Sequence, residues 1–135
     1  MSLFNVFNIA SSSLSAESQR LNAIASNLAN ADSITSADGT PYKAKQVSFK
    51  PTSIDGSNYS GVMVDKVTED QSPARTIHDP GNPLANKDGY VTMPNVNVAQ
   101  EMVNMISTTR SYQNSVEAMN ATKSLLQKAL SIGQG

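Results

Sequence analysis

The sequence predicts a mainly α fold: N- and C-terminal heptad helices form an antiparallel coiled-coil-like pair, with a small β/turn-rich insert between them. Three observations carry that reading. All six prolines (Pro41, Pro51, Pro73, Pro80, Pro83, Pro94) and five of the seven glycines stand in the middle of the chain, leaving both flanks free to run as long helices. Charge follows the same partition. Residues 1–31 hold only Glu17 and Arg20, residues 97–135 hold Glu101, Arg110, Glu117, Lys123 and Lys128, and the other 14 of 21 charged residues lie between. Apolar residues recur every seven positions in both flanks and nowhere else. The chain thus divides into a first helix (1–31), an insert (32–96) and a second helix (97–135).

In the first helix Phe7, Leu14, Leu21 and Leu28 form one heptad track, and Leu3, Ala10, Ile24 and Ala31 form the complementary one, with Glu17 the single exception. In the insert, "YKAKQVSF" (42–49) and "GVMVDKV" (61–67) read as strands between turn signals, giving a small hairpin or three-strand unit. "ADGTP", "DGSNYSG", "HDPGNP" and "KDGY" supply the turns, because Gly, Asn, Asp and Pro favour them. In the last helix the 4-3 spacing runs Val98, Met102, Met105, Thr109, Tyr112, Val116, Met119, Lys123, Leu126, Leu130, with two polar breaks. Asn97 and Gln100 read as an N-cap pair, and Gly133 as a stop.

The polar faces of these helices are the informative part. "IASNLANADS" (24–33) carries Ser and Asn where a solvated helix would usually carry Glu, Lys or Arg. Both are weak helix formers, since their short side chains compete for backbone groups. Small uncharged residues let helices approach on several sides, and Asn and Ser can hydrogen-bond across a contact once buried. Most faces of both helices are therefore expected to lie against protein. One seam is satisfied within the subunit and the others need neighbouring subunits. A lone helix hairpin of this kind is marginal, so assembly is expected to order it. Leu14, Leu21, Ile24 and Leu28 are expected to pack against Met105, Tyr112, Val116, Met119 and Leu126, and Phe7, Val98, Met102 and Leu130 are expected to join them in subunit packing. Asn27 and Asn30 are expected to hydrogen-bond across a contact or cap the helix end.

Other chemistry is poorly served. A net charge of -1 marks no nucleic-acid or anionic-membrane partner, and the absence of cysteine excludes disulfides, thiolate metal sites and a thiol nucleophile. No apolar run approaches the roughly 20 residues of a membrane span. "MSLFNVFNIASSSL" fails as a secretory signal, because its first basic residue is Arg20 and Asn5 and Asn8 interrupt it. The only histidine, His78, sits beside Asp79 and before Pro80, where turn geometry explains it better than catalysis. Asp65, Glu69 and Asp70 read as a solvated loop run rather than paired catalytic carboxylates. Met93, Met102, Met105 and Met119 are gap-fillers rather than a cofactor site. No catalytic, cofactor-binding or metal-ligating residue is assigned, and no cofactor is expected.

At the level of motifs, "SQRLNAIASNLANADS" (18–33) is similar to the N-terminal signature of the bacterial flagellar axial-protein family, a heptad helix closing with Asn-Leu-Ala-Asn. "DPGNPLANKDGYVTMPNVNVAQEMVNMISTTRSYQNSVEAMNATKSLLQKAL" (79–130) resembles the C-terminal part of its rod subunits, with "GYVTMPNVN", "EMVNMI" and "RSYQ" the most specific pieces. The resemblance implies a structural subunit, not an enzyme. It implies export through the flagellar type III apparatus without a cleaved signal peptide, followed by polymerisation into the rod of the basal body in the periplasmic space. The implied partners are copies of itself, other rod subunits, and adaptor or export-gate proteins at the rod base. It also implies an inner layer of terminal helices and an outer layer made by the insert. "LFNVF" (3–7) lacks the apolar residue that related subunits place four positions after a phenylalanine for export-gate docking; Asn8 and Ser11 stand there. The competing readings are a coiled-coil secretion chaperone or adaptor, which would carry charged outer faces, and a small periplasmic peptidoglycan-acting enzyme, which would need a larger core.

Overall fold

The structure is a computed structural model that describes residues 3–35, 39–54 and 58–133. Two long helices flank four short strands: α1 (Leu3–Ala29), β1 (Lys45–Ser53), β2 (Ser60–Glu69), β3 (Arg75–His78), β4 (Tyr90–Met93) and α2 (Val98–Gly133). The helices occupy the proline-free flanks. α1 stops where the Asn30 side chain folds back, its Nδ2 donating to the Ser26 carbonyl at 2.8 Å while its Oδ1 accepts from Ser33 Oγ at 3.2 Å. α2 starts on Asn97, whose Oδ1 accepts from the Gln100 amide at 3.1 Å, a side-chain cap on one of the open N–H groups of the first turn.

The insert holds two two-stranded antiparallel sheets, β1–β2 and β3–β4, rather than one hairpin or a three-strand unit. Its turn chemistry explains the division. "HDPGNP" and "KDGY" close a loop of their own between β3 and β4, so the second pair never joins the first. Residues 37–38 of "ADGTP" and 55–57 of "DGSNYSG" lie outside the described residues. In the first pair Lys45 faces Glu69 and Ser53 faces Ser60, with a bulge at Ser48/Phe49 that leaves Asp65 as the extra residue on β2.

α1 is the central layer. The β1–β2 sheet packs on one side of it and α2 packs on it as well, whereas α2 packs on α1 alone. Gly61, at the start of β2, makes the sheet contact possible. Ser12 Oγ accepts from the Val62 amide at 3.1 Å and donates to the Ile9 carbonyl at 2.7 Å, and a Cβ at position 61 would stand 2.5 Å from that oxygen. A second, small core ties the insert to the helix ends. Ala31, Ala44 and Val96 cluster with Tyr42, and the Asn95 side chain spans them, its Oδ1 accepting from the Ala44 amide at 2.8 Å and its Nδ2 donating to the Asp70 carbonyl at 3.0 Å. Gly61→Ala should destabilise the folded chain by roughly 1–3 kcal/mol through this overpacking, measured as a lowered midpoint in urea, whereas Gly39→Ala meets no neighbour and strains only the local turn.

Candidate assembly surface

Two hydrogen bonds set the register of the helices. Ser13 Oγ lies 3.0 Å from Ser115 Oγ, and Asn27 Nδ2 donates to Glu101 Oε2 at 3.0 Å. A step of fourteen residues up α1 is matched by fourteen down α2, so the helices run antiparallel. The 4-3 spacing through these points follows Ala10, Ser13, Glu17, Arg20, Ile24 and Asn27 on α1, and Glu101, Met105, Thr108, Tyr112, Ser115, Met119, Thr122 and Leu126 on α2. Each helix keeps one heptad track of the expected seam and shifts the other by one residue. Ser13 and Asn27 take the place of Leu14 and Leu28, and Thr108, Ser115 and Thr122 that of Thr109, Val116 and Lys123. The physical reason is size: small side chains let two helix backbones come close, and larger ones are pushed to the flanks.

The expected packing residues accordingly separate. Within one subunit Ile24 and Asn27 are buried, while Leu14, Leu21, Leu28, Asn30, Met105, Tyr112, Val116, Met119 and Leu126 are half-buried. Phe7, Val98, Met102 (55 % exposed) and Leu130 (65 % exposed) stay outside, as do Val103, Ile106, Leu125 and Ile132, which apolar spacing alone did not single out. The register also carries the last two turns of α2 beyond the first residues of α1, which is why Leu130 and Ile132 meet no partner helix. Along α2 the seam alternates small Thr108, Ser115 and Thr122 with the larger Met105, Tyr112, Met119 and Leu126, and its remaining large apolar side chains face outward. In the seam itself the Thr108 hydroxyl and one Glu17 carboxylate oxygen are buried without a hydrogen-bond partner.

The first helix meets the insert at Asn27, 2 % exposed and bonded at both ends of its amide. Its Oδ1 accepts from the Lys45 backbone amide at 2.7 Å and from Tyr42 Oη at 3.0 Å; its Nδ2 donates to the Lys45 carbonyl at 2.9 Å and to Glu101. One side chain thus grips the first residue of β1 by both backbone groups and the first turn of α2 by a carboxylate. Asn30 caps the same helix. Asn95 and Tyr42 escaped sequence reading, because a loop asparagine and a lone tyrosine carry no periodic signal. Among the described residues no helix is long and apolar enough to cross a membrane, and no group of three His, Cys, Asp or Glu side chains could hold a metal ion.

Apolar side chains left open along α2, among them Met102, Val103, Ile106 and Leu130, mark a surface for contact with other proteins. Residues 7–35 match the family described as flagella basal body rod protein, and residues 87–132 the one described as flagellar basal body rod FlgEFG protein C-terminal. Flagellar basal-body rod protein FlgC of Yersinia enterocolitica is 57 % identical over 134 residues, covering 99 % of this chain and all of the relative. The proteins of the same name from Escherichia coli O157:H7 and Bacillus subtilis (strain 168) are 54 % and 40 % identical, again over 99 % of this chain and all of each relative. The chain belongs to the FlgC family of flagellar basal-body rod proteins, structural components of the bacterial flagellum.

Replacing Asn27 by Ala strands the Lys45 backbone groups and Glu101 together. At about 1–3 kcal/mol per buried polar group left unpaired, Asn27→Ala should lower stability by roughly 3 kcal/mol or more in chemical denaturation, well beyond the effect of Asn22→Ala on the exposed face of the same helix.

Proposed function

We propose that the chain polymerises, with copies of itself and other rod subunits, into the proximal rod of the flagellar basal body, a hollow shaft that carries torque from motor to hook. The terminal helices form the inner, coiled-coil layer and the insert the outer one. The reading rests on one observation above all: Met102, Val103, Ile106, Leu125 and Leu130 are exposed on α2, off the seam it makes with α1. Burying side chains of that size contributes about 1.5–3 kcal/mol each, which goes unclaimed in a single chain and becomes available in a helical array.

Torque passes along a shaft only if subunits cannot slide, so a continuous interlock of apolar side chains serves better than any single bond. Contacts between unlike faces extend without closing and generate a helical tube. The marginal interior of the lone subunit, with small side chains and two unpartnered oxygens in the seam, also suits a chain threaded unfolded through the flagellar type III export apparatus, delivered past adaptor and export-gate proteins at the rod base, and ordered on incorporation in the periplasm.

Met102→Asp tests this reading, because the side chain is exposed in the subunit and touches no seam. Cells carrying it should synthesise normal amounts of the protein yet lose swimming and yield no hook–basal bodies on sedimentation. Normal swimming would contradict assembly through the α2 face, and a soluble one-to-one complex with an export substrate would favour a secretion chaperone instead.

A further inference from the structure

Between the two bonds that set the helix register lies a stretch of seam poorly matched in polarity. Ser13 meets Ser115 at one end of it and Asn27 meets Glu101 at the other. Among the described residues no hydrogen bond crosses from α1 to α2 between those points. Glu17 stands in this stretch, at the one position of its heptad track that is not apolar. Four residues on from Ser13 and four back from Ser115, it lies opposite Ser111, so Thr108 is about one turn away, ~5 Å along the axis. Glu17 Oε2 and Thr108 Oγ1 are both buried without a hydrogen-bond partner, and Thr108 as a whole is 0 % exposed.

The groups that could relieve these atoms are engaged elsewhere. Arg20, one turn further along α1, is turned toward β1, with its guanidinium 5.9 Å from the centre of the Phe49 ring. The only ion pair among the described residues is Lys50–Asp65. Thr122, two heptads beyond Thr108 on the same track, donates its hydroxyl to the Ala118 carbonyl at 2.8 Å, the route a helical threonine commonly takes and Thr108 does not. Burial of an unpaired polar atom costs more than a lost hydrogen bond, because its contacts with water go with nothing in return. An apolar group of the same shape carries no such cost. Glu17 and Thr108 thus subtract from helix pairing between its two fixed points.

We propose that Glu17 and Thr108 form an opening point built into the seam, one that keeps α1 and α2 of an unassembled subunit easy to separate. That role rests on the reading that the chain is threaded unfolded through an export apparatus before it assembles. The two side chains hold the stability of the helix pair low enough for the fold to yield.

Thr108→Val keeps the shape and removes the hydroxyl, and Glu17→Met keeps an unbranched side chain and removes the carboxylate. Each should raise the urea midpoint of the purified chain by about 0.5 M. In cells the two changes together should cut the amount of chain delivered outside the cytoplasm about tenfold, since delivery follows the unfolded population. Adding Gly61→Ala, which crowds Ser12 Oγ and weakens the packing of the sheet on α1, should bring midpoint and delivery back together. No rise in midpoint in either single variant overturns the opening point, as does a raised midpoint with undiminished delivery. So does a loss of delivery that persists when Gly61→Ala lowers the midpoint, because positions 17 and 108 would then act through a contact and not through stability. The rod role survives all three of these results. Delivery of the unaltered chain that continues with the flagellar export apparatus inactivated defeats the export reading and the opening point with it.

Discussion

Two long helices can lie close along their length only where the facing side chains are small, and this constraint governs the molecule. Ala10 and Ser13 on α1 and Thr108, Ser115 and Thr122 on α2 meet that demand. They alternate in the seam with the larger Ile24, Met105, Tyr112 and Met119, and the remaining large side chains of α2 are left on its far side. Met102 and Ile106 stand off the seam tracks, and Leu130 lies where α2 runs past the start of α1. A subunit built this way is incomplete alone. It gains modestly from its own helix pairing and presents to its surroundings the side chains that would ordinarily make a core. The scarcity of charge on the same helices is the complement of that arrangement, for a bare charge buried between copies costs several kcal/mol.

Besides the packing of β1–β2 on α1, the β-rich insert is held to this open helix pair by polar bonds. The amide of Asn27 reaches the backbone of Lys45 and the carboxylate of Glu101, and Asn95 reaches Ala44, Asp70 and Ser72. Bonds of this kind are directional and fix orientation, whereas the small cluster of Ala31, Ala44 and Val96 buries too little to do so alone. The insert is therefore carried at a defined angle to the helices without sheathing α2. That leaves one long helical face available for neighbours.

Much of this was legible in residue types. Proline and charge placement located both helices, because each acts locally and strongly on backbone and solvation. The tracks through Ala10, Glu17 and Ile24 and through Met105, Tyr112, Met119 and Leu126 also followed from spacing. The companion tracks did not. A heptad reading ranks Leu above Ser and Met above Glu, while close helix approach reverses that preference, and nothing in a single sequence announces how near two helices will come. Asn27 stood out in the sequence as a polar residue near a helix end. Its four hydrogen bonds could not be anticipated, since three of them reach residues 15 to 18 positions on and the fourth crosses 74. The pairing of the insert strands into two sheets was hidden for a related reason: short strands of similar composition carry little information about which partner each will choose.

Native methionines offer a direct probe of whether the helices are enclosed in the working object. Met102 on α2 and Met63 on β2 are both exposed in the isolated subunit, at 55 % and 43 %. Mild peroxide footprinting, read by mass spectrometry, compares their oxidation rates in the free chain and in isolated basal bodies. Enclosure of the helices with the insert outermost requires Met102 to become strongly protected on assembly while Met63 continues to react. Equal oxidation of Met102 in both states, or protection of Met63 in its stead, would mean that the apolar helix faces are not what the rod is built upon.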